Sequence, residues 1–170
     1  MIRRITKADA TQVATFLRNT FRDDVLSGGN PSWWTADMMR AAADRGVVWW
    51  VAIEGGKPVG VLAGEHGNAF FTEGGVTYEC NYFSLLAVSP ALYQASKAEA
   101  RRVARELTVA AANDLRDSGL MKEMLWIMGP TQSRGASWCR ELGMAETVHQ
   151  GYSEFRLPFR DIWDRAQATV

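Results

Sequence analysis

The chain has 170 residues and a mass of 18.9 kDa, enough for one domain with a full core. Nineteen Lys and Arg balance nineteen Asp and Glu, which excludes a nucleic-acid binder or anionic-membrane anchor working by bulk charge. With 47% apolar and 22% charged residues, the composition is globular rather than disordered. The longest apolar run, Val47 to Ile53, is far shorter than the about 20 residues that span a bilayer. Residues 1–20 lack the apolar block of a secretion signal. Cys80 and Cys139 lie far apart and form no metal-ligand motif. Neither a disulfide framework nor a metal site is expected, and the reducing cytoplasm is the expected compartment.

Ile2 to Ile5 is a short strand, followed by Thr6 and Asp9 at capping spacing. Val13, Phe16, Leu17 and Phe21 recur at helical intervals, so residues 8–22 form an amphipathic helix. The break at Ser27-Gly-Gly-Asn-Pro31 precedes a second helix over Thr35–Arg45, stopped by Gly46. Val47 to Ile53 and Pro58 to Ala63 read as paired strands around Glu54-Gly-Gly-Lys57, whose adjacent glycines permit a two-residue turn. Residues 64–75, rich in glycine, read as a loop or an irregular hairpin extension. Val76 to Val88 is a long strand with a bend near Cys80-Asn81, ended by Pro90. Ser96 and Glu99 have capping-box spacing and open a long helix to Ser118. Its Val103, Leu107, Ala111 and Leu115 form one buried stripe, and Gly119 closes it. A strand over Met121–Met128, a helix over Ser133–Glu141, strands over Ala145–His149 and Ser153–Leu157, and a terminal helix over Phe159–Gln167 complete the order. The expectation is an α/β (α+β) fold: a mixed central sheet of six to seven strands with helices on both faces, in a single domain of residues 1–170 whose residues 158–170 are a helical extension.

Four local features, in this order, resemble the GNAT acyltransferase superfamily across residues 1–157. They are the opening Ile2-Arg-Arg-Ile-Thr-Lys-Ala-Asp-Ala, the hairpin Glu54-Gly-Gly-Lys-Pro-Val-Gly-Val61, Leu85-Leu-Ala-Val-Ser-Pro90 before a long helix, and Gly135-Ala-Ser-Trp-Cys-Arg-Glu-Leu-Gly-Met144. The resemblance implies acetyl-coenzyme A as cofactor and a small amine or peptide amine as substrate. It also implies that the fourth and fifth strands splay, so that the backbone of Leu86, Ala87 and Val88 grips the pantetheine arm and stabilises a developing oxyanion. The pyrophosphate is expected on the following loop and the positive end of the long helix.

The chain departs from the family pattern at two places. In the coenzyme loop Gln94 fits the first position, but Lys97 stands where the first glycine belongs and Glu99 at the last small position. Ser96, Lys97 and Arg101 either hold phosphates through side chains or form a solvated basic face. The late-helix tyrosine that returns a proton to the thiolate is replaced by Cys139, read either as a proton donor or as a buried structural thiol. Gln132 stands near the family's frequent asparagine. Glu79, Tyr82 and Glu65 are candidates for the general base. Adjacent-parity arguments put Glu79 and Tyr82 on opposite faces unless the strand between them is bulged. His66 and His149 belong to no hydrolase triad. Trp33 and Trp34 read as a lid over the substrate site, a partner surface or local core, whereas Trp49 and Trp50 must face opposite sides of the sheet.

Two functions follow. One is an acyl-CoA-dependent N-acyltransferase. The other is a non-catalytic structural or interaction protein on the same fold, binding a protein partner or itself, such as a bacteriophage virion component.

Overall fold

The computed structural model describes residues 1–22, 31–45 and 47–168. The glycines of the break at 27–31 and the stop at Gly46 lie outside the described residues. Seven strands form one mixed sheet in the order β1-β2-β3-β4-β5-β7-β6. They are β1 (Ile2–Arg4), β2 (Val47–Glu54), β3 (Lys57–Glu73), β4 (Val76–Val88), β5 (Met124–Pro130), β6 (Ala145–Val148) and β7 (Tyr152–Pro158). All neighbours run antiparallel except β4 and β5, which are parallel.

Helices α1 (Ala10–Thr20) and α2 (Ala36–Asp44) cover one face, while α4 (Lys97–Asp117), α5 (Arg134–Glu141) and α6 (Ile162–Ala168) cover the other. A short α3 (Pro90–Ala95) links β4 to α4. The capping pair at Thr6 and Asp9 is present, although Lys7–Asp9 form a 3-10 turn before α1 begins. Trp49 enters the α1–α2 core and Trp50 the α4 core, as strand alternation requires. The α4 stripe is buried as its four-residue spacing demands: Val103, Leu107, Ala111 and Leu115 are all at most 2% exposed.

The structure differs from the sequence reading at three places. The first is the glycine-rich stretch 64–75, in which β3 continues to Glu73 and turns back through Gly74 and Gly75, both at positive φ. Phe70, Phe71 and Thr72 are good strand formers, and they pair with Glu79, Tyr78 and Thr77. The irregularity expected at Cys80-Asn81 is carried by β3, whose residues 66–68 bulge between Glu65↔Tyr82 and Ala69↔Cys80. A second register shift falls in β4 at Ser84. Secondly, β5 starts at Met124 rather than Met121. Thirdly, Pro90 does more than end β4: it occupies the first turn of α3, whose Ser89 hydroxyl accepts from the Leu92 amide. The C-terminal helical segment packs into the body, with Phe159, Ile162 and Ala166 fully buried against α4.

Candidate functional site

The parallel pair β4–β5 holds the site. Its ladder runs only from Cys80↔Met124 to Phe83↔Ile127. Beyond that point β4 stays paired to β3 through Val88, and β5 stays paired to β7 through Pro130. The two strands therefore separate inside the sheet, and the β5-facing backbone groups of Leu85 to Val88 have no ladder partner. The register shift at Ser84 assists, because an extra residue bends the strand.

Where the ladder begins is also fixed by side chains. Asn81 is fully buried; its amide donates to the Leu120 carbonyl at 3.0 Å and its oxygen accepts from the Lys122 amide at 2.7 Å. Asn81 thus clamps the α4–β5 connection to β4. Its type gave no signal in the sequence, since its partners lie 39 and 41 residues away.

The gap opens into a cleft of about 290 Å³. Its walls include Leu62, Phe83 and Ala104 from the α4 core, and also Phe21, Leu85 and Ala87 from the α1–α2 core. Residues from both faces line one cavity, so the cleft passes through the sheet. Small side chains at Ala100, Ala104 and Ala136 leave the room.

Of the residues expected to hold a cofactor, Leu86, Ala87, Val88, Arg101 and Gln132 line this cleft, while Gln94, Ser96 and Lys97 do not. Gln94 and Lys97 are exposed on either side of Ser96. The Ser96 hydroxyl caps α4 by accepting from the Glu99 amide at 3.2 Å. The Glu99 side chain does not return the bond. It turns to Arg102, which also holds Glu54 and Glu106. A helix advances about 100° per residue, so Ala100 rather than Glu99 meets the cleft. The Glu99 carboxylate is thereby turned away from the cleft. Arg101 is paired with Glu141 at 2.7 Å. Arg134, which the sequence reading missed, also lines the cleft, with its guanidinium 4.5 Å from the Tyr93 ring centroid.

The three expected catalytic residues are not brought together. The Glu79 carboxylate bonds Lys122 at 2.8 Å, outside the cleft. Tyr82 stacks on Trp126 with centroids 5.0 Å apart. Burial, helped by the charge of Glu65, raises its phenol. Cys139 does line the cleft, but it is 2% exposed and burial pushes its thiol up to about 12. Trp33 and Trp34 separate: Trp33 is exposed, while Trp34 packs on Phe21 and edge-on to Trp49, and neither lines the cleft. His149 stacks on Tyr152 at the β6–β7 turn. Among the described residues no group of three His, Cys, Asp or Glu is placed to hold a metal, and no helix is long and apolar enough to cross a membrane.

No protein-family model matches the chain, and no curated protein matches it significantly. Solved structures do match its fold. The PaiA N-acetyltransferase of Thermoplasma acidophilum, in complex with coenzyme A, superposes with a TM-score of 0.67 at 12% identity over 93% of this chain and 98% of its own. Aminoglycoside 6'-acetyltransferase type Ii gives 0.66 at 11% identity over 94% and 97%. A variant of the AtaT toxin, bound to the C-terminus of the antitoxin AtaR and to acetyl-CoA, gives 0.64 at 12% identity over 95% and 94%. The fold is that of the GNAT N-acetyltransferases.

Proposed function

We propose that the protein is an acetyl-CoA-dependent N-acetyltransferase acting on an amine. The observation that carries this reading is the separation of β4 from β5 with a cleft that reaches both faces of the sheet. The residues fit the cofactor. A row of β4 backbone groups without ladder partners suits an amide-bearing arm such as pantetheine, which replaces the missing strand bonds. The α4 N-terminus supplies the Lys97 and Ala98 amides ahead of its first intrahelical bond. Arg134 and Arg101, the latter paired with Glu141, line the cleft, and Lys97 is exposed at the α4 N-terminus, so phosphate binding would rely on side chains as well as on amides. Leu62, Phe83, Leu86, Ile127 and Phe155 line part of the cleft with apolar surface.

Acetyl-CoA, when bound, supplies a thioester whose acetyl group is open to attack by a neutral amine. The β4 amides are donors fixed in place for the oxygen that gathers charge. The acceptor's ammonium must first lose a proton; the Glu65 carboxylate is the group that can accept it on the face where an acceptor entering opposite the coenzyme would arrive, and the phenol of Tyr82, kept protonated by burial, lies beside it. Glu79 is committed to Lys122, and Cys139 remains a protonated thiol in the wall.

The non-catalytic alternative has no observation in its favour beyond the altered coenzyme loop. The two readings separate in a thermal-shift experiment. A ligand at 100 times its Kd stabilises by about 2.7 kcal/mol, a shift of roughly 5–11 °C for a domain of this size. Acetyl-CoA is expected to produce such a shift, and incubation with an accepting amine to release free thiol. No shift at millimolar acetyl-CoA would overturn the proposal.

A further inference from the structure

Beside the gap, the sheet carries a set of side chains that the coenzyme does not use. The strand registers place Glu65 opposite Tyr82, Tyr82 opposite Trp126 and Trp126 opposite Arg156. Directly opposed residues share a face, so these four form one row. Val47, opposite Glu65, packs against the α1–α2 core and so identifies the face. That core draws on β2, β3 and the end of β4; among the described residues it takes nothing from β5, β6 or β7. This half of the face is therefore not roofed by α1 or α2.

The row has a definite chemistry. The Tyr82 and Trp126 rings are 5.0 Å apart and tilted by 45°. The Trp126 indole N–H is buried and has no hydrogen-bond partner. Most carboxylates of the described residues are ion-paired with Arg or Lys. Glu65 is not, and neither is Glu154, whose nearest charged neighbour is the His149 imidazole at 3.5 Å. The one cation in the row, Arg156, is offset by Glu73 at 3.0 Å and lies over the Phe71 ring. Two residues along β5 from Trp126, on the same face, Met128 is opposed to Glu154 and lines the cleft. The row and the cleft are continuous.

We propose that this half-face seats the acceptor, and that the acceptor is an amine carried on a flat apolar body beside a carbonyl oxygen: an aromatic amino acid derivative or the aromatic first residue of a peptide, rather than a polyamine. An ammonium finds Glu65 and Glu154 without a competing Lys or Arg. A ring finds Tyr82 and Trp126, which also attract the cation. A carbonyl oxygen that displaces the side chains covering the indole N–H gives that orphan donor a partner, and its burial without one is otherwise costly. A flexible polycation has no use for the rings. The role as acceptor site rests on the transferase reading, whereas the binding chemistry does not.

The test is calorimetric titration of the full chain with phenylalaninamide, with 3-phenylpropanamide, which lacks the ammonium, and with spermidine, which lacks the ring and carbonyl. Phenylalaninamide is expected to bind saturably and at least about tenfold more tightly than either control, a difference of about 1.4 kcal/mol. Tyr82→Leu and Glu154→Gln should each weaken it by about that factor. Glu65→Gln, at an exposed position, does so without any risk to folding. Equal affinity for the three ligands, preference for spermidine, unchanged binding in the variants, or no saturable binding by about 10 mM would overturn the proposal. A parallel titration with acetyl-CoA separates the two readings. Coenzyme binding without amine binding removes this inference alone. Amine binding without coenzyme binding removes the transferase reading and leaves the amine site standing.

Discussion

Asp9 shows how much a single side chain holds at the start of the fold. Its carboxylate accepts two bonds from the Arg3 guanidinium, at 2.7 and 2.8 Å, and one each from the Thr6 amide and hydroxyl. The Arg3 bonds, with those from Thr6, hold its carboxyl far below the usual carboxylate range. A carboxylate whose pKa is lower in the folded than in the unfolded chain adds stability above the unfolded value, near 3.9. That contribution disappears as pH falls toward the folded value. Asp9→Asn is therefore expected to cost about 1–2 kcal/mol at pH 7 and less at pH 3. Urea unfolding at the two pH values measures the gap between wild type and variant; a gap that stays constant contradicts the assignment. Cys139 is the opposite case. Sequence position left it either a proton donor or a buried structural thiol, and the structure shows burial at a level that keeps it protonated.

At the scale of elements, the approach of β3 to α4 sets the wall of the cleft. Gly60 lies under α4, and an added Cβ there would come within 2.7 Å of both Leu107 Cδ1 and Val103 Cγ1. Both side chains belong to the buried stripe and have little room to move. Gly60→Ala is expected to destabilise by about 1–3 kcal/mol, lowering Tm by about 2–4 °C per kcal/mol. A scanning-calorimetry result equal to wild type would mean that α4 is free to lift from the sheet.

The elements also show what a sequence can disclose. Glu54-Gly-Gly-Lys57 was legible as a turn because both glycines must adopt positive φ, and they do. Glu73-Gly-Gly-Val76 carries the same signature, yet Gly64 and Gly67 before it masked the strand, since glycine there serves close packing and a bulge rather than a loop. Gly64 faces the Phe83 and Trp50 rings, leaving no space for a Cβ. α3 was hidden because Pro90 reads equally as the end of a strand and the first turn of a helix. The strand separation was legible only through resemblance. The row Glu65–Tyr82–Trp126–Arg156 was not legible at all, because it depends on register across four strands and one three-residue bulge.

For the whole molecule, the two faces of the sheet are unequal. One face is covered by α4, α5 and α6; among the described residues, the α1–α2 core on the other takes its strand residues from β2, β3 and the end of β4. The gap between β4 and β5 connects the two. In the proposed reading, cofactor and acceptor approach from opposite sides and meet at the strand edge. The claim is located at particular amides, so amide NMR of the labelled chain during titration with acetyl-CoA tests it most directly. The account predicts saturable shifts at Leu86, Ala87 and Val88 and at Gly129 across the gap, with the edge strands β1 and β6 undisturbed. Silence at those four amides at saturating acetyl-CoA, or shifts centred elsewhere, would contradict it.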